Sequence, residues 1–188
     1  MAPLTPDDVL LGLLKARPAH GYDLLEAFHD PARLGRVWNM STSQLYAVLK
    51  RLEEDGAITG REVPRLDAPP RTEYALTPRG EARLGAWLHV DAPPTAIHHI
   101  RVLFLSRLYI ASLLGIPPED IIDRQLVACQ AQRDKLLARA AETTAAMEAL
   151  TLDFVTGQLD ACIAWLHRCR DQRLLSSNAS LQNPEKGS

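Results

Sequence analysis

Residues 41–80 read STSQLYAVLKRLEEDGAITGREVPRLDAPPRTEYALTPRG, and this stretch decides the fold. Its first part predicts an amphipathic helix, because apolar residues recur at helical spacing: Leu45, Val48, Leu49 and Leu52. Ser41 followed three residues later by Gln44 is a capping-box pattern, which predicts that the helix begins there. Gly56 is placed to end it, since glycine is the preferred residue just beyond a helix C-terminus.

The second part of the stretch predicts a β-hairpin followed by another helix. Residues 57–63 and 71–76 are strand-like, and the proline-containing segment 64–70 between them is rich in turn residues. Thr77 then caps a new helix that carries Pro78 at its first position. A helix, a two-stranded wing and a helix in this order are the winged helix-turn-helix layout.

The face of the first helix opposite its apolar stripe carries polar and small side chains. We predict that this face enters a DNA groove, because hydroxyl, amide and ammonium groups suit base edges and phosphates. The candidate contacts are Ser41, Ser43, Gln44, Tyr46 and Lys50. The carboxylates of residues 53–55 would repel phosphates, so the helix should dock through its N-terminal half. The alternative is that Lys50 and Arg51 pair with those carboxylates on a solvated face.

The wing supplies two further candidates for contact with the DNA backbone, Arg61 and Arg71. A guanidinium group suits phosphate oxygens, and contacts of this kind add affinity without reading sequence. Glu62 and Glu73 offset part of this positive charge. The prolines of segment 64–70 stiffen the tip of the wing, because proline fixes its backbone φ angle.

Three motifs in order resemble the PadR family of transcriptional regulators: HGY at 20–22, QLYAVLKRLEEDG at 44–56 and PPRTEYALTPRG at 69–80. The resemblance continues, more weakly, to about Arg173. It implies that HGY opens the first half of the helix-turn-helix, where the Tyr22 hydroxyl would reach a phosphate. The alternative is that Tyr22 packs in the core. The chain departs from the family pattern at the wing tip, which lacks the usual glycines, and at Thr72, where a lysine is usual.

The resemblance also implies a function. It predicts a mostly helical, homodimeric regulator, in particular a repressor, that binds an inverted-repeat operator in double-stranded DNA. Family members commonly leave DNA when they bind a small aromatic or hydrophobic effector, and release of that kind is a further expectation here. The rival function is a winged-helix module that binds another protein without specific DNA binding. A formal net charge of −2 and the acidic helix end favour this rival.

Composition and linker residues predict how the 188 residues divide. Asp91, Ala92, Pro93 and Pro94 form a linker between a winged DNA-binding domain at 1–90 and a helical dimerisation domain at 95–175. The polar segment 176–188 is predicted to be a disordered tail.

Three helices are predicted beyond the linker, the first of them at 95–115 and apolar almost all round. The second helix is predicted to carry one continuous stripe at heptad spacing. Its members are Ile122, Leu126, Cys129, Leu136, Ala140, Thr143, Met147 and Leu150. The last helix shows the same alternation between Val155 and Cys169. Two such stripes pack against each other, either within one chain or across a dimer, and the resemblance favours the dimer.

Six side chains near the linker are candidates for binding the effector: Trp38, Trp87, His98, His99, Arg101 and Tyr109. Aromatic rings with a few polar groups suit an aromatic acid, whose carboxylate would face a histidine or the arginine. The alternative is that these rings pack the linker against the first domain.

Several classes of protein are disfavoured by the sequence. We find neither a phosphate-binding glycine loop nor a nucleophile elbow, and the histidines and cysteines lack the spacing of zinc ligands, so no enzyme, cofactor or metal is predicted. Neither a signal peptide nor a membrane span is visible. Cys129, Cys162 and Cys169 are interpreted as free thiols in core positions, which is typical of a reducing compartment. The sequence therefore predicts a cytoplasmic protein.

Overall fold

The structure, a computed structural model, describes residues 4–64 and 70–171. The predicted tail at 176–188 and most of the wing tip, 65–69, lie outside the described residues. The helices are α1 (Asp7–Ala16), α2 (Gly21–His29), α3 (Thr42–Glu54), α4 (Pro78–Leu88), α5 (Ile97–His99), α6 (Leu105–Leu113), α7 (Glu119–Glu142) and α8 (Ala146–Asp171). The strands are β1 (Ala19–His20), β2 (Ile58–Val63) and β3 (Arg71–Leu76).

The described chain forms two compact units, each with its own core. Among the described residues, the first unit lies within Met1–Val90 and Arg101–Pro117, and the second lies within Asp91–Ile100 and Pro118–Ser188. The boundaries therefore differ from the predicted division at the linker, because α6 packs on α1 within the first unit. The predicted helix at 95–115 is present in three segments: α5, a π-helical turn (Ile100–Phe104) and α6.

Helix α3 begins and packs as predicted. Its apolar stripe is buried, with Leu45, Leu49 and Leu52 fully enclosed. The capping box is complete: the Ser41 hydroxyl accepts a hydrogen bond from the Gln44 backbone N–H at 3.3 Å. In return, the Gln44 side-chain oxygen accepts one from the Ser41 N–H at 2.9 Å. These bonds satisfy backbone donors that a helix N-terminus otherwise leaves without partners.

The wing is the predicted antiparallel pair, and its sheet gains a third strand. β2 and β3 pair from Ile58 opposite Leu76 to Val63 opposite Arg71. β1 then pairs with the other edge of β3, so the described sheet has the order β1-β3-β2. The two residues of β1 were not predicted to form a strand, because their strand pairing depends on β3, which is remote in sequence. His20 secures the join, because its Nδ1 donates to the Thr72 carbonyl oxygen at 3.0 Å.

Helix α6 packs directly on α1, and a glycine makes the close approach feasible. A Cβ atom added to Gly12 would lie 2.8 Å from Cδ1 of Ile110, a side chain that is fully buried. Protein cores are close-packed, so an added side chain at this point has no free volume to occupy. The contact attaches residues 101–117 to the winged core.

Gly12→Val should therefore lower the free energy of unfolding by about 1–3 kcal/mol, the usual cost of overpacking a core. Gly85→Val is the matched control, because Gly85 is also within a helix but nothing lies within 4 Å of its added Cβ. Urea unfolding of both variants and the wild type tests the difference. Equal stability of the two variants would contradict the tight α1–α6 contact.

The second unit is built on an antiparallel hairpin of α7 and α8. The ion pairs along the hairpin occur in opposite order on the two helices: Asp123 with Arg170, Arg133 with Asp160, and Arg139 with Glu148. The apolar stripes between them are buried at Ile122, Leu126 and Cys129 on α7 and at Leu152, Leu159 and Leu166 on α8. The two predicted stripes thus pack against each other within one chain.

The prediction that one helix carries the heptad stripe through Leu150 was wrong. α7 ends at Glu142, and Met147 and Leu150 belong to α8. Thr143 leaves the helix in an extended conformation, and its hydroxyl donates to a Glu148 carboxylate oxygen at 2.6 Å. Threonine is a weak helix former, and this bond stabilises the turn instead.

The cysteines are free thiols, with Cys129 fully buried and Cys162 and Cys169 half-buried. A hydrogen bond from Cys162 lowers the pKa of the Cys129 thiol, and the same contact together with burial raises the pKa of Cys162. No cluster of three metal-ligating side chains occurs within residues 4–64 and 70–171. None of the helices in these ranges combines the length and the apolar character needed to cross a membrane.

Candidate nucleic-acid interface

The outward face of α3 presents the predicted DNA contacts to solvent. All of them are exposed: Ser41, Ser43, Gln44, Tyr46 and Lys50. Gln44 has an additional role, because its side-chain oxygen already accepts hydrogen bonds from the Ser41 backbone and hydroxyl. A bidentate contact with adenine uses both the oxygen and the nitrogen of the amide. Gln44 would therefore have to leave the capping box to make that contact.

Each carboxylate at the C-terminal end of α3 has a partner. Glu53 accepts a hydrogen bond from the Gly60 N–H at 2.8 Å, so it secures the start of the wing. Glu54 lies 3.8 Å from Lys50, and Asp55 lies 3.9 Å from Arg83. The alternative pairing of Lys50 is thus present, but an exposed pair of this spacing contributes only about 0.2–0.5 kcal/mol and is easily exchanged for a phosphate.

Arg51 does not pair as the alternative predicted. Its guanidinium donates two hydrogen bonds to the carboxylate of Asp7 on α1, at 3.0 and 2.7 Å. Asp7 is buried, and Arg83 of α4 lies 3.7 Å from the same carboxylate. The C-terminal part of the recognition helix is therefore held to two other helices by one buried carboxylate.

A cleft of about 340 Å3 brings together candidate contacts from three elements: Tyr22 of α2, Tyr46 of α3 and Arg71 of β3. Tyr22 is 71% exposed, so it is not the core residue of the alternative interpretation. A Cβ atom added to Gly21 would lie 2.8 Å from the Tyr46 hydroxyl. Glycine at this position thus allows Tyr46 to lie over the first turn of α2.

Arg61, the other candidate on the wing, lies apart from the residues that line the cleft. Its guanidinium pairs with Glu73 on the neighbouring strand at 3.3 Å, and both Arg61 and Arg71 are exposed. Exposed pairs of this kind contribute at most about 1 kcal/mol, so the pair does not prevent Arg61 from contacting a phosphate.

Tyr74 lines the cleft and is not among the candidates predicted from the sequence. It is only 9% exposed, and burial, with the nearby Glu53 and Tyr46, raises the pKa of its hydroxyl. The two-residue alternation of β3 could have placed it, since Thr72, Tyr74 and Leu76 point to the same side of the strand. The remaining residues that line the cleft are His20, Gly21, Pro70 and Thr72.

Two of the candidate effector contacts are attached to α6 within the first unit. Trp38 donates from its indole N–H to the Ser106 hydroxyl at 2.8 Å, and Ser106 is fully buried. Tyr109 accepts a hydrogen bond from Arg33 at 3.0 Å. Packing is thus one established role of Trp38 and Tyr109.

A buried arginine on α6 accompanies a third candidate, Trp87. The Arg107 guanidinium carbon lies 5.5 Å from the centre of the Trp87 ring, a cation–π contact. Arg107 is 3% exposed, and its Nε has no hydrogen-bond partner in the part of the chain that the structure describes. Burial lowers the pKa of Arg107, and the charge of Asp8 opposes that effect. Arg107 was not predicted as a site residue, because a helix that is apolar almost all round indicates no buried charge.

The last three candidates are distributed over both units. Arg101 is exposed and begins the second segment of the first unit. His98 and His99 belong to the second unit, with ring centroids 4.1 Å apart. Burial and then the neighbouring His98 lower the pKa of His99. The six side chains therefore do not form a site within a single unit.

Two helices joined by a turn, followed by a wing beside the second helix, define the winged helix-turn-helix class. The profile of the "Transcriptional regulator PadR-like family" matches residues 10–86. The chain is 32% identical over 130 residues to the negative transcriptional regulator PadR of Bacillus subtilis (strain 168), and this match covers 68% of each chain. The chain belongs to the PadR-like family of transcriptional regulators.

Solved structures of the same family are also similar to this chain. The complex of Bacillus subtilis PadR with operator DNA is 23% identical, with a TM-score of 0.46, and the match covers 90% of this chain and 98% of that one. The complex of the same protein with p-coumaric acid is 24% identical, with a TM-score of 0.40, and coverage of 88% and 96%.

Proposed function

We propose that this chain is a transcriptional repressor that binds an inverted-repeat operator as a homodimer. One observation carries the DNA-binding part of the proposal: α2, α3 and the wing bring Tyr22, Tyr46 and Arg71 to a single cleft beside the exposed face of α3. Side chains of these types from a recognition helix and a wing can read bases and hold the backbone together. The negative regulator to which the chain is similar supports repression as the direction of control.

Selection from random DNA duplexes tests the function directly. The purified full chain should enrich an inverted repeat, because two identical winged domains read two identical half-sites. Failure to enrich any sequence would favour the rival protein-interaction module. DNA recovered without a sequence preference, and with affinity that disappears at moderate salt, would reduce the proposal to non-specific binding.

The wing should contribute affinity that does not depend on sequence. Arg71→Ala should weaken binding to operator and random DNA by similar factors, because a phosphate contact carries no sequence information. It should also reduce the slope of log K against log salt by about 0.9 for each phosphate that is no longer neutralised. Arg168→Ala, at an exposed arginine on α8, is the control and should leave the slope unchanged. Titrations at several salt concentrations decide between these results.

The homodimer is supported by an apolar surface on the second unit. Met147, Leu150 and Phe154 are at helical spacing on α8 and are all more than 60% exposed. They lie on the side of α8 opposite Leu152, Leu159 and Leu166, which already pack against α7. A second copy of this chain would bury this stripe, here called the outer stripe, and hold two winged domains at the half-sites.

Release by a small aromatic effector is the remaining part of the proposal. The p-coumaric acid complex of Bacillus subtilis PadR supports an aromatic acid as the class of ligand. Titration of such acids should release DNA, and tryptophan fluorescence should change in wild type but less in Trp87→Phe. Release without any change in fluorescence would place the effector away from Trp38 and Trp87. As a transcriptional repressor, this chain would not be an enzyme. It would act in the cytoplasm together with its operator DNA.

A further inference from the structure

The cleft at the winged domain has the chemistry of an anion site. Its rim carries the guanidinium of Arg71, and three tyrosines from three different elements line it: Tyr22, Tyr46 and Tyr74. Phenolic hydroxyls and a guanidinium are hydrogen-bond donors that suit phosphate oxygens. Glu73, the nearest acidic residue on β3, is engaged by Arg61 and does not line the cleft.

The first turn of α2 adds backbone donors to this cleft. His20 occupies the N-cap position but makes no side-chain capping bond, because its Nδ1 is used by the Thr72 carbonyl. The N–H groups of the first turn are therefore left without a capping side chain, and they carry the positive end of the helix dipole. Asp23 also lies in this turn but does not line the cleft.

Tyr74 gives an independent indication of a ligand. It is more than nine-tenths buried and lines the cleft, yet its hydroxyl makes no hydrogen bond to any part of the chain that the structure describes. The hydroxyl atom itself is not enclosed, so it is open to the cleft and can donate to an acceptor that enters there. A phosphate oxygen is such an acceptor.

We propose that the cleft binds one phosphodiester group of the DNA backbone in each half-site, and that the Tyr74 hydroxyl is its innermost donor. The inference rests on the proposed DNA binding and deepens it. Tyr74 and the backbone amide groups at the start of α2 then belong to the DNA interface. They contact the DNA backbone and not the bases. Gly21 is required in this arrangement, because a side chain there would displace the Tyr46 hydroxyl.

Tyr74→Phe removes the hydroxyl and keeps the ring, which is almost fully buried. Operator binding by the full-length variant should be weaker by about tenfold or more, which is typical of losing a hydrogen bond to a charged group. All DNA sequences should be affected alike. Ser112→Ala is the control, since it removes an exposed hydroxyl in the same unit but outside the cleft. Tyr22→Phe, at an exposed side chain, should also weaken binding and does not depend on core packing.

A scan of the operator with single methylphosphonate linkages identifies the phosphate itself. With wild type, one position in each half-site should show the largest loss of affinity. With Tyr74→Phe, the same substitution should cause little further loss, because the two changes remove the same interaction. An identical pattern of losses with wild type and variant would overturn the proposal while leaving DNA binding intact. Wild type that binds no duplex would instead overturn the proposed function, and this inference with it.

Competition with inorganic phosphate tests whether the ligand of the cleft is a phosphate of the DNA backbone or a free phosphate ion. At equal ionic strength, phosphate and chloride should release operator DNA equally if the cleft is reserved for the backbone. Stronger release by phosphate, together with unchanged DNA affinity of Tyr74→Phe, would show a site for free anions and overturn the proposal.

Discussion

Replacing Leu150 and Phe154 together by aspartate should convert the full-length chain to a monomer and weaken operator binding by about 10²–10⁴-fold. Phe154 is 65% exposed on the outer stripe of α8, so the change removes no packing from the hairpin. Two carboxylates buried in a dimer interface without partners would each cost several kcal/mol. The second half-site then loses the effective concentration that the dimer provides.

Sedimentation and DNA titration of the same preparations decide this prediction. The control is Gln130→Asp with Ala149→Asp, which adds two carboxylates at exposed positions of the hairpin outside the outer stripe. It matches the change in net charge, so any general repulsion from DNA affects both proteins equally. A monomeric wild type, or a Leu150→Asp/Phe154→Asp variant that remains dimeric, would rule out this surface as the interface.

Replacing Arg51 by methionine should lower the free energy of unfolding by about 3–5 kcal/mol, the cost of leaving a buried charge without its main partner. The reason lies in Asp7, whose carboxylate is buried and accepts two hydrogen bonds from Arg51. Arg83 would remain at 3.7 Å, but its closer contact is with Asp8 at 2.7 Å. Lys15→Met is the control, because Lys15 also joins α1 to α4, through Glu81, in a pair that is about half exposed. Its loss should cost at most about 1 kcal/mol.

The dependence of stability on pH should change sign in the Arg51 variant. In wild type, burial raises the pKa of Asp7, but the hydrogen bonds from Arg51 and Thr5 and the nearby guanidinium charges hold it below 3.8. The Asp7 carboxylate therefore contributes to the free energy of unfolding above pH 3.8, and this contribution is lost as the pH falls through its pKa in the folded state. Without Arg51, burial should raise that pKa above its unfolded value, so stability should increase as the pH falls from neutral.

Chemical denaturation between pH 4 and pH 7 measures this difference. Asp7→Asn in the Arg51→Met background should recover part of the lost stability and remove its dependence on pH, because no carboxylate is then buried at this position. If the stability of the single variant Arg51→Met followed the same pH profile as that of wild type, the buried charge of Asp7 would not be the cause of the lost stability. These variants leave the candidate DNA contacts of α3 unchanged.

Local features of the winged region could be predicted because they depend on residues close together in the chain. The capping box of α3 spans only Ser41 to Gln44, and the Thr77 cap of α4 accepts its bond from the Gly80 N–H. The exposed face of α3 follows from helical periodicity, which fixes the opposite face once the apolar stripe is known. The break near Thr143 was also local, but the heptad pattern extends through it and obscured it.

Contacts between distant segments of the chain could not be predicted in this way, because no pattern in the sequence indicated them. Asp7 and Arg51 are typical surface residues, and only the packing of α1 on α3 buries the carboxylate of Asp7 against the Arg51 guanidinium. The cleft likewise needs β3 beside β1, so that Tyr74 lies opposite Ala19 and close to Tyr46. Periodicity shows which face of an element is apolar but not which element covers it.

The sequence by itself therefore determined α3, the two strands of the wing, α4, the caps of both helices and the family to which the chain belongs. Tertiary structure decided that α6 packs with the winged helices, through Gly12 and Ile110, and that a buried carboxylate anchors the recognition helix. It also brought Tyr22, Tyr46 and Tyr74 to one cleft. The physical reason is that caps and stripes act within a few residues, whereas burial and ion pairing depend on which distant surfaces meet.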